Sequence, residues 1–286
     1  MATLSQTIGT RTRAVGNNVC FGIDPILERI PLEGSPDQVV ERFGLGFLEA
    51  CQKRGVMPAA VKPNAAYYEA LGPKAVDSLQ KVCAAWREAG VFVVLDAKRG
   101  DIGKSSGAYA QAAFGPFRAS AVTVAPYMGR DSVEPFLASA EAAAFLLLRT
   151  SNPGARDFQD LVIDGEPLYL HVARKALSWA GSEKLGFVVG ATAPQELESI
   201  ASWFVREGRQ ASFLIPGVSV PGVAGGQGGG IDEVVRRLRA GGSDPWIHLV
   251  NASSGLNFAW ERDGNRQAWA QAGACALEEL AAVAGL

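Results

Sequence analysis

Eight short apolar or β-branched runs punctuate the chain, and each is followed by a stretch of helical periodicity that opens on proline or a capping residue. The runs are Val19–Asp24, Ala59–Lys62, Val91–Lys98, Ala121–Ala125, Ala144–Thr150, Gly186–Gly190, Phe213–Pro216 and Trp246–Asn251. Helices are expected to begin near Pro36, Pro73, Gly103, Asp131, Glu166, Pro194, Ile231 and Gln267. Ser35-Pro36 and Gly72-Pro73 put proline in a first helical turn, where its missing N–H removes no hydrogen bond. Runs such as Val91-Phe92-Val93-Val94-Leu95 do not alternate with polar residues, as expected when helices cover one face of a parallel sheet and side chains fill the other. The pattern predicts the α/β class and, within it, a single (β/α)8 TIM barrel.

An open doubly wound sheet would also alternate strand with helix, but no GxGxxG follows the first run; Gly9 and Gly16 precede it. Gly217–Gly230 is the one glycine-rich stretch, and it lies between the seventh run and its helix, so no domain boundary is expected in residues 1–286. A short N-terminal extension, about residues 1–17, precedes the first strand.

Composition removes several functions. Twenty-seven basic against 29 acidic residues leave a formal charge of −2, which gives nucleic acid or an anionic membrane no electrostatic grip. Cys20, Cys51, Cys83 and Cys275 form no CxxC pair, which fits a reducing cytoplasm. His171 and His248 are the only histidines and lie far apart, leaving little material for a histidine zinc site or a Ser-His-Asp triad; His248 reads as a hydrogen-bonded core residue. Arg11 and Arg13 are not followed by an apolar segment, and no run approaches the ~18 residues of a membrane span, so a soluble, unexported protein is expected.

In a parallel barrel the catalytic groups stand at the carboxyl ends of the strands. The third run ends Asp96-Ala97-Lys98-Arg99-Gly100-Asp101, and residues two apart on a strand share a face, so Asp96 and Lys98 should share the mouth. The second ends Val61-Lys62-Pro63-Asn64 and brings another ammonium to the same neighbourhood. Rims carry structural ion pairs too. Alternating charges behind an apolar strand, however, suit a reaction in which negative charge develops beside a fixed proton donor. A lysine flanked by aspartates keeps its proton, which favours proton delivery over Schiff-base chemistry.

With Phe21-Gly22-Ile23-Asp24-Pro25, Ser151-Asn152-Pro153-Gly154 and Pro216-Gly217-Val218 before Gly226-Gln227-Gly228-Gly229, these motifs give the chain a resemblance, nearly end to end, to orotidine 5′-phosphate decarboxylases of the longer bacterial kind. The resemblance implies a cofactor-free, metal-free barrel that makes uridine 5′-phosphate through a C6 carbanion. It implies that Lys62, Asp96 and Lys98, with Asp101 of the partner subunit, surround the orotate carboxylate in a homodimer with shared sites, and that Lys98 gives the proton. Asp24 and Ser105 would bind ribose hydroxyls, Ser105 standing where the family usually has threonine and reaching across to the other subunit's site. Ser151 would bind the pyrimidine, although Ser-Asn-Pro-Gly is also good turn chemistry, and Asp24-Pro25 also suits a helix cap. Pro216, Gly217, Gln227, Gly228, Ser253 and Ser254 would line the substrate and its phosphate, with the glycines offering backbone amides.

One position departs from the pattern. The family usually reads Asn-x-Ser-Arg after the eighth strand, with the arginine on the phosphate; here Asn251-Ala252-Ser253-Ser254 stands instead. A phosphorylated-nucleotide binder without turnover therefore stays open. So does a relative from the magnesium-dependent sugar-phosphate decarboxylases and aldolases, which share Asp-x-Lys-x-x-Asp but end the second strand in a carboxylate ligand, where this chain has Lys62.

Overall fold

The structure is a computed structural model, and it describes residues 2–138, 142–220, 229–284 and 286. Eight parallel strands close into a barrel: β1 (Val19–Ile23), β2 (Ala60–Pro63), β3 (Phe92–Arg99), β4 (Ala121–Val124), β5 (Ala143–Arg149), β6 (Leu185–Val189), β7 (Ser212–Pro216) and β8 (Leu249–Ala252). Each strand pairs with its sequence neighbours, and β1 closes the ring against β8 with Val19 opposite Val250. The expected (β/α)8 barrel is the observed one.

Alternation along the strands divides two cores. Phe21, Val61, Val93, Val122, Phe187 and Phe213 pack with the surrounding helices, while Cys20, Ala60, Val94, Ala121, Phe145, Val188 and Leu214 share the smaller interior cluster. Outside, Phe43 and Phe47 of the helix Pro36–Arg54 meet Trp269 at ring separations of 5.1 and 4.9 Å. Truncating either of these wholly buried phenylalanine rings is expected to cost about 3–5 kcal/mol.

The N-terminal extension carries a helix that the strand–helix count did not include. Leu4–Val15 starts in a capping box, with the Thr3 side chain accepting from Gln6 N and the Gln6 side chain from Thr3 N, and stops at Gly16 with φ 72°. Leu4 and Ile8 are buried in the interior cluster. Arg11 donates to the Pro58 and Ala59 carbonyls just before β2, at 3.2 and 3.3 Å, so the helix lies across the amino ends of the strands.

Two junctions differ in detail from expectation. The run Trp246–Asn251 opens as a 3-10 turn, Pro245–Ile247, before β8 begins. After β5 the helix starts only at Leu168, because a 3-10 segment (Pro153–Asp157) and a two-stranded hairpin (Val162–Ile163 with Glu166–Pro167) intervene. The hairpin turns on Asp164 and Gly165, both at positive φ (51° and 83°), as a two-residue primed turn requires.

His248 is the core residue the sequence suggested. Its Nδ1 accepts from Phe213 N at 2.9 Å, its Nε2 meets the Ser243 hydroxyl at 2.8 Å, and burial pushes its pKa down to about 3. Among the described residues no helix is long and apolar enough to cross a membrane.

Candidate active site

At the carboxyl ends of β2 and β3, Asp96 lies between two ammonium groups. Lys62 Nζ is 2.6 Å from Asp96 Oδ2 and Lys98 Nζ is 2.7 Å from Asp96 Oδ1. The Lys62 and Asp96 side chains are 5% and 7% exposed, whereas that of Lys98 is 52% exposed, so one ammonium is sealed in and the other reaches toward the opening. Burial disfavours ionised Asp96, but Lys62 and Lys98 outweigh it and hold the carboxyl well below the ordinary carboxylate range. For Lys62 burial works against charge, and the Asp96 and Asp24 carboxylates overrule it and raise its pKa.

Asp96 and Lys98 meet by a route other than a shared strand face. Pairing between β3 and β4 shifts register between Leu95 and Arg99, and Lys98 has φ 44°, one of three non-glycine residues at positive φ among the described residues. The kinked backbone brings the Lys98 ammonium back over Asp96. The outcome agrees with the spacing rule; its cause is the irregularity at the strand end.

A cavity of about 530 Å³ opens above this array. Lys62, Asp96, Lys98 and Thr123 contribute charged and polar groups, Leu147, Val188 and Leu214 are apolar, and Ser151, Asn152, Gln159 and Pro216 stand around the rest. Ser151 is held by its neighbours: Thr192 Oγ1 donates to its carbonyl at 3.0 Å, and a Cβ on Gly190 would come within 2.8 Å of its Cα. Glycine at 190 is therefore what lets the ends of β5 and β6 approach here.

Asp24 leaves β1 partly buried, and burial pushes its carboxyl above the ordinary carboxylate range against the opposing pull of Lys62. Asp24 Oδ1 is buried with no hydrogen-bond partner among the described residues. Ser253 follows β8, and a Cβ on Gly22 would collide with its Oγ. Ser254 begins the short helix Ser254–Asn257 and is half-buried. Gly217 follows Pro216 at φ 94°, and Ser219 N donates to Gly229 O at 3.3 Å, so the two stems of the 217–230 loop meet. Gln227 and Gly228 lie outside the described residues.

Asp101 and Ser105 are not gathered into this array within the chain, and Asp24, Gly217, Ser253 and Ser254 are not among the residues lining the cavity. Asp101 Oδ1 accepts from Ile102 N at 2.8 Å, and no ion pair of Asp101 occurs among the described residues; Ser105 is exposed on the first turn of the helix Gly103–Phe114.

Three polar residues at the mouth were not anticipated. Thr123 donates to Asp96 Oδ1 at 3.0 Å. Gln159 reaches back from the insertion after β5, accepting from Thr150 N at 2.8 Å, and the insertion is fastened by buried Arg149 paired through two nitrogens with Asp160 at 2.9 and 3.1 Å. Asn257 accepts from Asp24 N at 3.1 Å and donates to the Gly22 and Ser253 carbonyls, tying the exit of β1 to that of β8. The residues before Gln159, Pro153-Gly154-Ala155-Arg156-Asp157, end in no strand or helix signal that would aim it inward. Asn257 sits four past Ser253 on a helix too short to show periodicity.

A parallel barrel with a lysine–aspartate–lysine array at its carboxyl end defines a class of enzymes that handle charge developing on a small anionic substrate by electrostatics and proton transfer. Residues 17–247 match the family described as Orotidine 5′-phosphate decarboxylase / HUMPS family. An orotidine 5′-phosphate decarboxylase of Herpetosiphon aurantiacus is 40% identical over 258 residues, 87% of this chain and 90% of that one. The solved structure of Leishmania donovani OMP decarboxylase is 32% identical with a TM-score of 0.75, covering 99% of both chains. The Leishmania donovani UMP synthase structure is also 32% identical, with a TM-score of 0.76; there the match covers 99% of this chain but 57% of the longer one. The chain belongs to the orotidine 5′-phosphate decarboxylase family.

Proposed function

We propose that this protein decarboxylates orotidine 5′-phosphate to uridine 5′-phosphate, the last step of UMP synthesis, as a carboxy-lyase needing neither cofactor nor metal. The observation that carries this is the Lys62–Asp96–Lys98 array on one wall of a cavity of nucleotide-fragment size. A carboxylate leaving the pyrimidine as CO2 gives up its bond to C6, and the electron pair stays on C6. Ionised Asp96 beside the departing group disfavours the ground state, and the Lys98 ammonium stabilises the carbanion and then delivers its proton to C6.

The partner roles follow from the same proposal. Asp24, with an unpartnered buried oxygen, takes a ribose hydroxyl, and Ser151, on the cavity wall with Pro216, takes the pyrimidine; Pro216, Gly217, Gln227, Gly228, Ser253 and Ser254 serve the phosphate side, as the family resemblance implies. Asp101 and Ser105 complete the site of a second copy in a homodimer. Exposed apolar side chains support this: Ile102 follows Asp101 directly, Met128 lies close to Gly100, and Tyr127 before it in the chain is 91% exposed. A cytoplasmic setting accords with the scattered, mostly buried thiols.

The magnesium-dependent sugar-phosphate chemistry found elsewhere in this superfamily meets Lys62 at the end of β2, whose ammonium repels a divalent cation. Purified protein is to be mixed with orotidine monophosphate in chelator and the orotate absorbance followed. Its loss is the expected result; no loss, with magnesium-dependent turnover of a sugar phosphate instead, overturns the proposal.

A further inference from the structure

Thr123, on β4, faces the kinked end of β3 and makes three hydrogen bonds there. Its Oγ1 accepts from Ala97 N at 3.0 Å and from Lys98 N at 2.9 Å. A hydroxyl has two acceptor lone pairs and one proton, so both lone pairs are in use and the proton is left for Asp96 Oδ1 at 3.0 Å. The residue is almost wholly buried, and its hydroxyl is the atom common to the two amides of the kink and the carboxylate.

The kink needs such a partner. Register between β3 and β4 is lost from Leu95 to Arg99, so the amides of Ala97 and Lys98 have no ladder carbonyl opposite them. Lys98 stands at φ 44°, a conformation L-residues adopt only when their surroundings impose it. The donors that the irregularity frees are the ones the Thr123 hydroxyl takes. That hydroxyl also bonds the same Asp96 oxygen that receives the Lys98 ammonium at 2.7 Å.

We propose that Thr123 is a positioning residue for the reaction: it holds the left-handed turn at Lys98 and the Asp96 carboxylate in one register, so that the Lys98 ammonium is aimed at the reacting carbon. This rests on the function proposed above. The effect runs through orientation and therefore falls on the chemical step more than on nucleotide affinity. The one hydroxyl proton of Thr123 is committed to Asp96, so in this proposal the reacting proton comes from Lys98 and not from Thr123.

The test compares wild type with Thr123→Val, Thr123→Ser and Thr123→Ala, measuring kcat on orotidine 5′-phosphate and, by calorimetry, the affinity for uridine 5′-phosphate. Thr123→Val keeps the shape and removes the hydroxyl; kcat is expected to fall by about 100-fold, the size of effect a misplaced catalytic group produces. Product affinity should stay within about threefold, because the transition state loses more than the ground state. Thr123→Ser restores the hydroxyl and should recover kcat to within about fivefold of wild type. If the valine variant does not fold, Thr123→Ala leaves room for water from the adjoining cavity to reach the amides, and the same kcat loss is expected of it. A folded variant without the hydroxyl whose kcat matches wild type overturns the inference, as does a serine variant no better than valine, or kcat and product affinity falling in proportion. An inactive wild-type enzyme would instead overturn the proposed function before any variant is compared.

Discussion

Lys62 and Asp96 form an ion pair at 2.6 Å from which solvent is almost excluded, while the second ammonium on Asp96 stays half-exposed. Deleting one member of such a pair strands the other charge in a poor solvent, which costs about 3–5 kcal/mol, and Lys98 on the other oxygen keeps the loss near the lower end. Lys62→Met should therefore lower the unfolding free energy in urea by about 3 kcal/mol, and adding Asp96→Asn should recover part of it by removing the stranded charge. Equal stability of wild type and Lys62→Met would show that the pair is not sealed in this way.

Lys98→Ala should abolish decarboxylation and leave substantial nucleotide binding, because the proposed ribose and phosphate contacts do not pass through that ammonium. In a homodimer with shared sites, mixing inactive Lys98→Ala with inactive Asp101→Ala should regenerate activity, since one site of each heterodimer collects both defects and the other neither. Demonstrated subunit exchange without recovered activity would place Asp101 outside a shared site.

Ser254, half-buried beyond β8, would in the proposed site offer the phosphate a neutral hydroxyl where the resemblance leads one to expect a guanidinium. A charged hydrogen bond is about twice as strong as a neutral one, and arginine can address two phosphate oxygens at once. Ser254→Arg is expected to lower KM and to raise kcat/KM by the equivalent of about 1–2 kcal/mol, after discounting for a pocket not shaped around it. An unchanged or higher KM would mean that another cation already serves the phosphate.

His248 gives the fold a dependence on acid. Its folded-state pKa is depressed to about 3 by burial against an ordinary 6.5, so the unfolded chain takes the proton first. Its contribution is whole above pH 6.5 and is lost progressively as pH falls toward 3. His248→Gln removes the titration, so between these limits its melting temperature should fall less steeply with pH than that of wild type. Parallel curves would mean that His248 does not carry the difference.

The barrel was legible because every strand had to be apolar on both faces, and that requirement wrote eight runs into the chain whatever the loops did. The helix Leu4–Val15 was also written, in Thr3…Gln6 and the Leu4/Ile8 spacing, but a strand–helix count has no place for a helix before the first strand. Val162-Ile163-Asp164-Gly165-Glu166 likewise carries the Asp-Gly hairpin signal, submerged in a stretch expected to lead straight into a helix. At the mouth, charged residues at strand ends announced themselves, since charge behind an apolar run needs a reason. Thr123 did not: in Ala121-Val122-Thr123-Val124 a threonine is an ordinary β-former, and only the broken register of the neighbouring strand gives its hydroxyl two donors to accept.

The helix Leu4–Val15 covers the amino end of the barrel, so among the described residues the array is reached from the other end. Leu4 and Ile8 stopper the barrel's base over an apolar layer of Cys20, Ala60, Val94, Phe145 and Leu214, and the lysine–aspartate array stands at the opposite end of the strands. Protons cannot travel through hydrocarbon, so traffic with the array is confined to the rim. In the proposed reaction carbon dioxide would depart, substrate arrive and Lys98 regain its proton through the same neck. Whatever occupies that neck therefore governs access to the array.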